Sequence, residues 1–323
     1  MILGALPVVG WTLFSLFYYG FPFPNTAYAK LGTGIARHEV IVQGLRYLAD
    51  SLIHDPITLA LMTLALFVAL KKRESHFSSK IPRLVGIGIV LQLIYVVFVG
   101  GDFMSGRFLT APLVAALFIM GDLGSRSNNL GPAKIAVLFL GIPGIQSTLL
   151  SGSSYSDMHI RKSGIANERG YYFQQSSLFR HEKGIFSIRR WELSPMSIRE
   201  ACGGLGFQGM LAGPGVHFVD TCALADPLLA HLPSIPDSNW RIGHFYRSVP
   251  DGYEQSLLRD SNLLTDPHLS SYYESIRLIV RGDLFDPKRL REIMKINMGF
   301  IPTPDFKSYL QGRNSGVETS PKL

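Results

Sequence analysis

Between two apolar stretches the chain reads Gly100-Gly101-Asp102-Phe103-Met104-Ser105-Gly106-Arg107-Phe108, with an acid and a base inside one glycine-rich turn. Ionisable groups at such a depth are costly to desolvate and persist where they are paired or functional. The spacing allows two readings. In one, Asp102 and Arg107 form a salt bridge that closes the turn. In the other, Arg107 grips a phosphate through its planar fork while Asp102 orients a hydroxyl or a metal. Asn25 and Lys30 form a second polar group, directly after the aromatic run Tyr18-Tyr19-Gly20-Phe21-Pro22-Phe23-Pro24. An aromatic belt running into a proline-fixed turn marks a membrane interface. Lys30 is then either a snorkelling anchor or a cation aimed at an anionic head group.

Further on, Val216-His217-Phe218-Val219-Asp220, the Asp226-Pro227 step and Trp240-Arg241-Ile242-Gly243-His244-Phe245-Tyr246-Arg247 set acids, imidazoles, guanidiniums and aromatics in short punctuated loops. Glycan sites are built this way, with rings stacked on sugar faces and polar groups bonded to hydroxyls. His217, Asp220, Asp226, Trp240, Arg241, His244 and Arg247 are therefore glycan-binding candidates. Each also has a plain structural reading, since Asp-Pro starts turns or caps helices and arginines pair within folds. The run Gly203-Gly204-Leu205-Gly206-Phe207-Gln208-Gly209 contains the formal pattern GxGxxG. A dinucleotide site would need a strand before it and a helix after it. Gly213-Pro214-Gly215 is expected to interrupt a helix, so glycine-rich turns between short strands are expected instead. Cys202 and Cys222 leave a disulfide open. With no CxxC, no HExxH and no GxSxG, neither a zinc site nor serine hydrolysis has a motif.

The elements that must carry these groups fall into two halves. Apolar stretches at Ile2–Phe23, Ile57–Leu70, Leu84–Gly100, Phe108–Gly121 and Ile135–Leu150 fill the first half, and the second half has none. Each approaches the ~17 to 25 residues that cross a bilayer, so about five transmembrane helices are expected. The expected organisation is a transmembrane domain over 1–150, a soluble domain over 151–312 and a disordered tail over 313–323. The start lacks a basic n-region and a clean cleavage site, and it reads as a span and not as a signal peptide. The basic cluster from Lys71 to Arg83 belongs in the cytoplasm. Alternation from there places the N-terminus inside and puts Pro24–His54, Gly101–Arg107 and everything after Leu150 outside. Ile35, Val40, Ile41, Val42, Leu45, Leu48 and Leu52 recur at helical spacing, so Leu31–Ser51 suits an amphipathic helix on the membrane surface. Further helices are expected around Ser163–Phe179 and Asp266–Arg281. The net charge of +7 comes from scattered or juxtamembrane Lys and Arg, which argues against a nucleic-acid partner.

The ordered series FPFPNTAYAK, GGDFMSGRF, ANERGYY, GPGVHFVD, LADPLLAHLP, WRIGHFYRSVPDGY and YYESIRLIVRGDLFDPKRL resembles the terminal arabinofuranosyltransferase family of bacterial envelope enzymes, which includes proteins described as flagellar motor control factors. It extends from about Tyr18 to Gly299. The resemblance implies a GT-C glycosyltransferase: an all-α polytopic membrane region followed by a mixed α/β extracytoplasmic domain, in the inner membrane. Such an enzyme takes a sugar from a polyprenyl-phosphate donor and passes it to an envelope glycan acceptor. Asp102, Arg107, Lys30 and Asn25 are the donor candidates. No cofactor is assigned, with a divalent cation at Asp102 left open. The family carries further spans, and its catalytic acid, before the FPFPNTAYAK region. The chain therefore reads as the C-terminal half of a longer enzyme, with the general base outside it; a truncated gene, a mispredicted start, or a split gene with a separately encoded N-terminal half as partner would each produce it. The alternative is a non-catalytic membrane protein whose external domain binds envelope glycan or another protein, as in flagellar motor control.

Overall fold

The computed structural model describes residues 2–70, 80–126, 156–157, 159–176 and 197–301. Its helices, in chain order, begin with α1 (Ile2–Tyr18), α2 (Asn25–Leu31), α3 (Arg37–His54), α4 (Pro56–Leu70), α5 (Lys80–Phe98), α6 (Thr110–Arg126) and α7 (Glu168–Ser176). Then follow β1 (Ser197–Ala201), α8 (Leu205–Ala212), β2 (Val216–Asp220), α9 (Tyr253–Arg259), α10 (Pro267–Arg281) and α11 (Pro287–Asn297). The described residues are thus mostly helical, with one small parallel sheet of two strands. They form two compact units. A mixed unit takes in the described parts of Met1–Gly34, Ile188–Trp240 and His244–Leu323, and a helical unit those of Ile35–Ser187 with Arg241–Gly243.

In the helical unit, α3 turns a polar stripe inward. Gln43, Gly44, Tyr47, Asp50 and Ser51 recur at helical spacing and are buried, whereas Val42, Leu45 and Leu52 on the apolar face are exposed. The helix starts at Arg37, later than the sequence pattern suggests, because α2 already ends at Leu31 and Gly34 adopts a positive φ of 76°. A Cβ at Gly44 would fall on the Val97 carbonyl, so the missing side chain is what lets α3 lie against α5. Leu61, Met62, Ala65, Ile89, Val96, Leu109 and Ile119 from α4 to α6 form the core with Tyr47 and Ile165.

Outward, α5 shows Leu84, Ile87, Leu91, Ile94 and Tyr95. Among the described residues α5, with 19 residues and a mean hydropathy of 2.1, is the one helix that alone is long and apolar enough to cross a membrane. α3 and α4 pass that test jointly but bend by 104° at Asp55. Gly4–Tyr18 and Arg107–Gly121 are apolar and shorter. The expected stretch Ile135–Leu150 and the tail over 313–323 lie outside the described residues.

In the mixed unit, β1 and β2 run parallel with Ala201 opposite Asp220, and α8 crosses between them. β2 falls on one of the expected short strands, whereas a helix and not a turn fills the glycine-rich stretch before it. Gly204, at φ 60°, caps an eight-residue helix, and Gly213, at φ 78°, ends it, so Gly213-Pro214-Gly215 terminates the helix without preventing it. The Gly206 and Gly209 positions meet nothing within 4 Å, so neither serves close helix packing as a dinucleotide site would ask. Cys202 and Cys222 are bridged, with their Cα atoms 5.0 Å apart at the ends of the two strands. α10 buries Leu269, Tyr272, Tyr273, Ile276 and Ile279 along one face. Its N-cap is Asp266, which accepts from Leu269 N–H at 2.8 Å ahead of Pro267.

Candidate functional site

The Gly101–Phe108 turn is held from α3. The Tyr47 hydroxyl donates to the Met104 carbonyl and accepts from the Phe108 N–H, each at 3.0 Å. Gly101 has a φ of 72°, and a Cβ there would lie 2.5 Å from Tyr47 Cβ and Cγ, so both conformation and space demand glycine. One turn along α3, the buried Asp50 carboxylate accepts from Ser105 Oγ at 2.6 Å and from Arg161 Nη1 at 2.9 Å. Arg161 leads into a segment that pairs with the turn. Ala166 N–H donates to the Phe103 carbonyl at 2.8 Å, and Ser105 N–H donates to the Ala166 carbonyl at 2.9 Å. That pairing explains why α7 begins only at Glu168, later than the expected start near Ser163.

Inside this frame the Asp102 side chain is fully buried, and Arg107 meets both its oxygens, Nη2 to Oδ1 at 2.6 Å and Nε to Oδ2 at 2.5 Å. The salt bridge that closes the turn is therefore present. It does not exhaust Arg107, whose side chain is 43% exposed and whose Nη1 donates to no acceptor among the described residues. The Arg107 guanidinium lies 5.1 Å from the Phe103 ring centroid, and that of Arg241 lies 5.5 Å from the same ring. Arg241 is oriented by its Nε donating to the Gly164 carbonyl at 2.7 Å. Glu168, in the first turn of α7, faces the fields of both arginines and of Asp102. Burial pushes its carboxyl above the usual range, against the opposing pull of Arg241 and Arg107. Two guanidiniums on one aromatic ring, with a buried and a half-buried carboxylate nearby, suit an anionic oxygen next to hydroxyls.

The other candidates lie in the mixed unit. Asn25 opens α2 and donates through Nδ2 to the Ala225 carbonyl at 3.3 Å, and Lys30 lies in its last turn. Asp220 is buried and accepts from Cys222 N–H at 3.0 Å and Ala225 N–H at 2.8 Å. Asp226 is buried under Leu228 and Leu229 N–H and the Tyr253 hydroxyl, and burial raises its carboxyl to about 6. Arg247 is buried and donates to the carbonyls of Leu232, Phe245 and Ala29. His217 stands exposed on β2, His244 is half-buried, and the Trp240 ring lies 5.9 Å from that of Phe245. The structure thus brings Arg241 together with Asp102 and Arg107 in the helical unit, and leaves the rest in the mixed unit. Tyr47, Ser105, Arg161 and Glu168 are site residues that motif reading passed over. The available signal was the stripe Gln43, Tyr47 and Asp50, recurring at helical spacing in an amphipathic helix. Among the described residues no three His, Cys, Asp or Glu side chains converge on a metal position, and no step below uses one.

These features describe a largely helical protein with outward-facing apolar helices and a guanidinium-rich turn. No family model matches the chain, and no solved structure matches it. The chain is similar to the terminal β-(1→2)-arabinofuranosyltransferase of Mycobacterium tuberculosis, at 25% identity over 77% of this chain and 51% of that protein. It is also similar to the terminal β-(1→2)-arabinofuranosyltransferase of Corynebacterium glutamicum, at 34% identity over 36% of this chain and 18% of that protein. The resemblance carried by the motif series therefore holds at the level of glycosyltransferases of this name. The chain spans about half the length of the first relative and less of the second.

Proposed function

We propose that the chain is part of a membrane glycosyltransferase that moves an arabinofuranosyl-type sugar from a polyprenyl-phosphate donor to an envelope glycan outside the cytoplasm. The observation that carries this reading is the pair Arg107 and Arg241 on Phe103, with Asp102 fixing one edge of Arg107. It is supported by similarity to two named arabinofuranosyltransferases. In the transfer, the acceptor hydroxyl oxygen attacks the anomeric carbon and the bond from that carbon to the phosphate oxygen breaks. The acceptor proton passes to a general base contributed by the rest of the protein. The phosphate leaves with its full charge, and Nη1 of Arg107 and the Arg241 guanidinium stabilise it where that charge develops. Glu168 accepts hydroxyl hydrogen bonds from the sugar. Asn25 and Lys30 remain donor candidates in the other unit. The exposed apolar faces of α1 and α5 support the membrane setting, and the polytopic first half and extracytoplasmic second half belong to the same proposal.

The test is transfer activity in the complete protein. Arg107→Ala alone would strand a buried carboxylate, at a cost of about 3 to 5 kcal/mol. The informative variant is therefore Asp102→Asn combined with Arg107→Gln, which removes the charge pair and keeps the shape. Transfer should fall at least about 100-fold, as on losing a preorganised charge-stabilising donor, with the amount of protein in the membrane unchanged. Full activity in that variant would remove Arg107 from the site and leave glycan or protein binding as the function to pursue.

A further inference from the structure

The mixed unit holds a cavity of about 640 Å³, lined by the donor candidate Asn25 but by none of Asp102, Arg107, Glu168 and Arg241. Its size falls within the ~300 to 1,000 Å³ typical of small-molecule sites. Trp11, Tyr19 and Phe23 from α1 and the segment after it wall it, with Leu224, Leu284 and Arg289. Arg289 is 1% exposed, and no carboxylate among the described residues pairs with it. Its guanidinium instead donates to the carbonyls of Phe17, Tyr18, Ile279 and Leu284. The first three are the C-terminal carbonyls of α1 and α10, whose helix dipoles offset part of the charge. Four of the five N–H groups are so used, and the fifth belongs to a buried cation lining an apolar cavity.

We propose that this cavity binds one bilayer phospholipid, with its phosphate at Arg289 and its acyl chain against the aromatic wall. A lipid fits better than a soluble anion because the wall continues into surfaces suited to a membrane. α1 exposes Val8, Trp11, Leu13 and Phe14, and just before and after α11 the side chains of Phe285, Met298 and Phe300 are 79%, 66% and 73% exposed. α11 adds exposed Lys288 and Arg291 between these apolar positions in the chain, a mix of basic and hydrophobic surface suited to an anionic interface. Failure of this proposal would leave the roles assigned to Arg107, Arg241 and Glu168 untouched, since none of them lines the cavity.

The experiment is native mass spectrometry of the full chain, extracted and washed in detergent and then offered phosphatidylglycerol, undecaprenyl phosphate or inorganic phosphate. One phosphatidylglycerol should remain bound per chain. Filling the cavity by Ala225→Trp, or from another element by Leu284→Trp, should cut retention at least 10-fold without lowering the melting temperature. Equal retention by two folded variants would overturn the site. Inorganic phosphate displacing the lipid at equal concentration would reduce it to an anion site, and preference for undecaprenyl phosphate would overturn the assignment to a bilayer lipid.

Discussion

Asp226 and His231 are buried in the same core with opposite consequences for pH. Desolvation raises Asp226 to about 6, despite three hydrogen bonds from donors, and lowers His231 to about 4, where its ring packs against both Phe21 and Tyr28 and its Nε2 has no partner among the described residues. Between the unfolded carboxyl value of about 3.9 and 6, the folded state holds a proton on Asp226 that the unfolded state has lost. Stability from that group is therefore full at low pH and falls as pH rises through 6. Between about 6.5 and 4 the unfolded state binds a proton on His231 that the folded state refuses, so stability falls as pH drops. The two slopes oppose, each spanning roughly 2 to 3 kcal/mol. Thermal unfolding from pH 4 to 6.5 should be nearly flat in the unmodified protein, should rise with pH in Asp226→Asn and should fall with pH in His231→Phe. Parallel profiles in all three would remove these residues as the titrating pair. Neither burial was readable beforehand, because an Asp-Pro step and a lone histidine look alike on a surface loop and in a core. The Asp102–Arg107 turn was legible, since its glycines, acid and base lie close in sequence.

At the scale of elements, α3 carries the site. Its sequence gives an amphipathic helix correctly, but periodicity alone cannot say which face is buried. Here the polar stripe with Tyr47 and Asp50 is inside and the apolar face with Val42, Leu45 and Leu52 is outside. Arg37, His38, Glu39, Arg46 and His54 are exposed on the same helix, so its outer surface mixes apolar and charged groups as an interfacial helix does. Gly101→Ala should be among the most damaging single changes in the turn. It combines a positive φ with a clash against the Tyr47 ring, and a loss of about 3 kcal/mol or more is expected from strain and overpacking. Tyr47→Phe removes only the hydroxyl that bridges Met104 and Phe108, and should cost about 1 to 3 kcal/mol by leaving the Phe108 N–H unpaired. Denaturation of the full chain in detergent, followed by tryptophan fluorescence, ranks the two. A Gly101→Ala variant as stable as the parent would show that the turn adopts another path. Within the βαβ step of β1, α8 and β2 the strand at Val216–Asp220 was legible, and the crossing helix was the part that was not. That helix is only eight residues long, and its glycines lie inside it as well as at its ends.

For the whole molecule, the chain's outward apolar surface is the property that decides its environment. The series of hydrophobic stretches was plain in the sequence. Their partition was not, because α1 joins the mixed unit through Arg289 and Asn297, contacts made across more than 270 residues of chain. Long-range pairings of this kind leave no local pattern to read. If the outer face of α5 meets lipid, charge there should be penalised as in a bilayer and not as on a protein surface. Leu91 is 60% exposed near the middle of α5, where in water an arginine would be harmless. In a membrane the same change costs about 2.5 to 3.5 kcal/mol for a residue near the centre of a span. Leu91→Arg should therefore lower the amount of chain recovered in carbonate-washed membranes several-fold. Lys80→Arg at the helix start should leave it unchanged. Equal membrane recovery of Leu91→Arg and the parent would mean that this face of α5 meets water or another protein, and α5 would then lose its standing as a span.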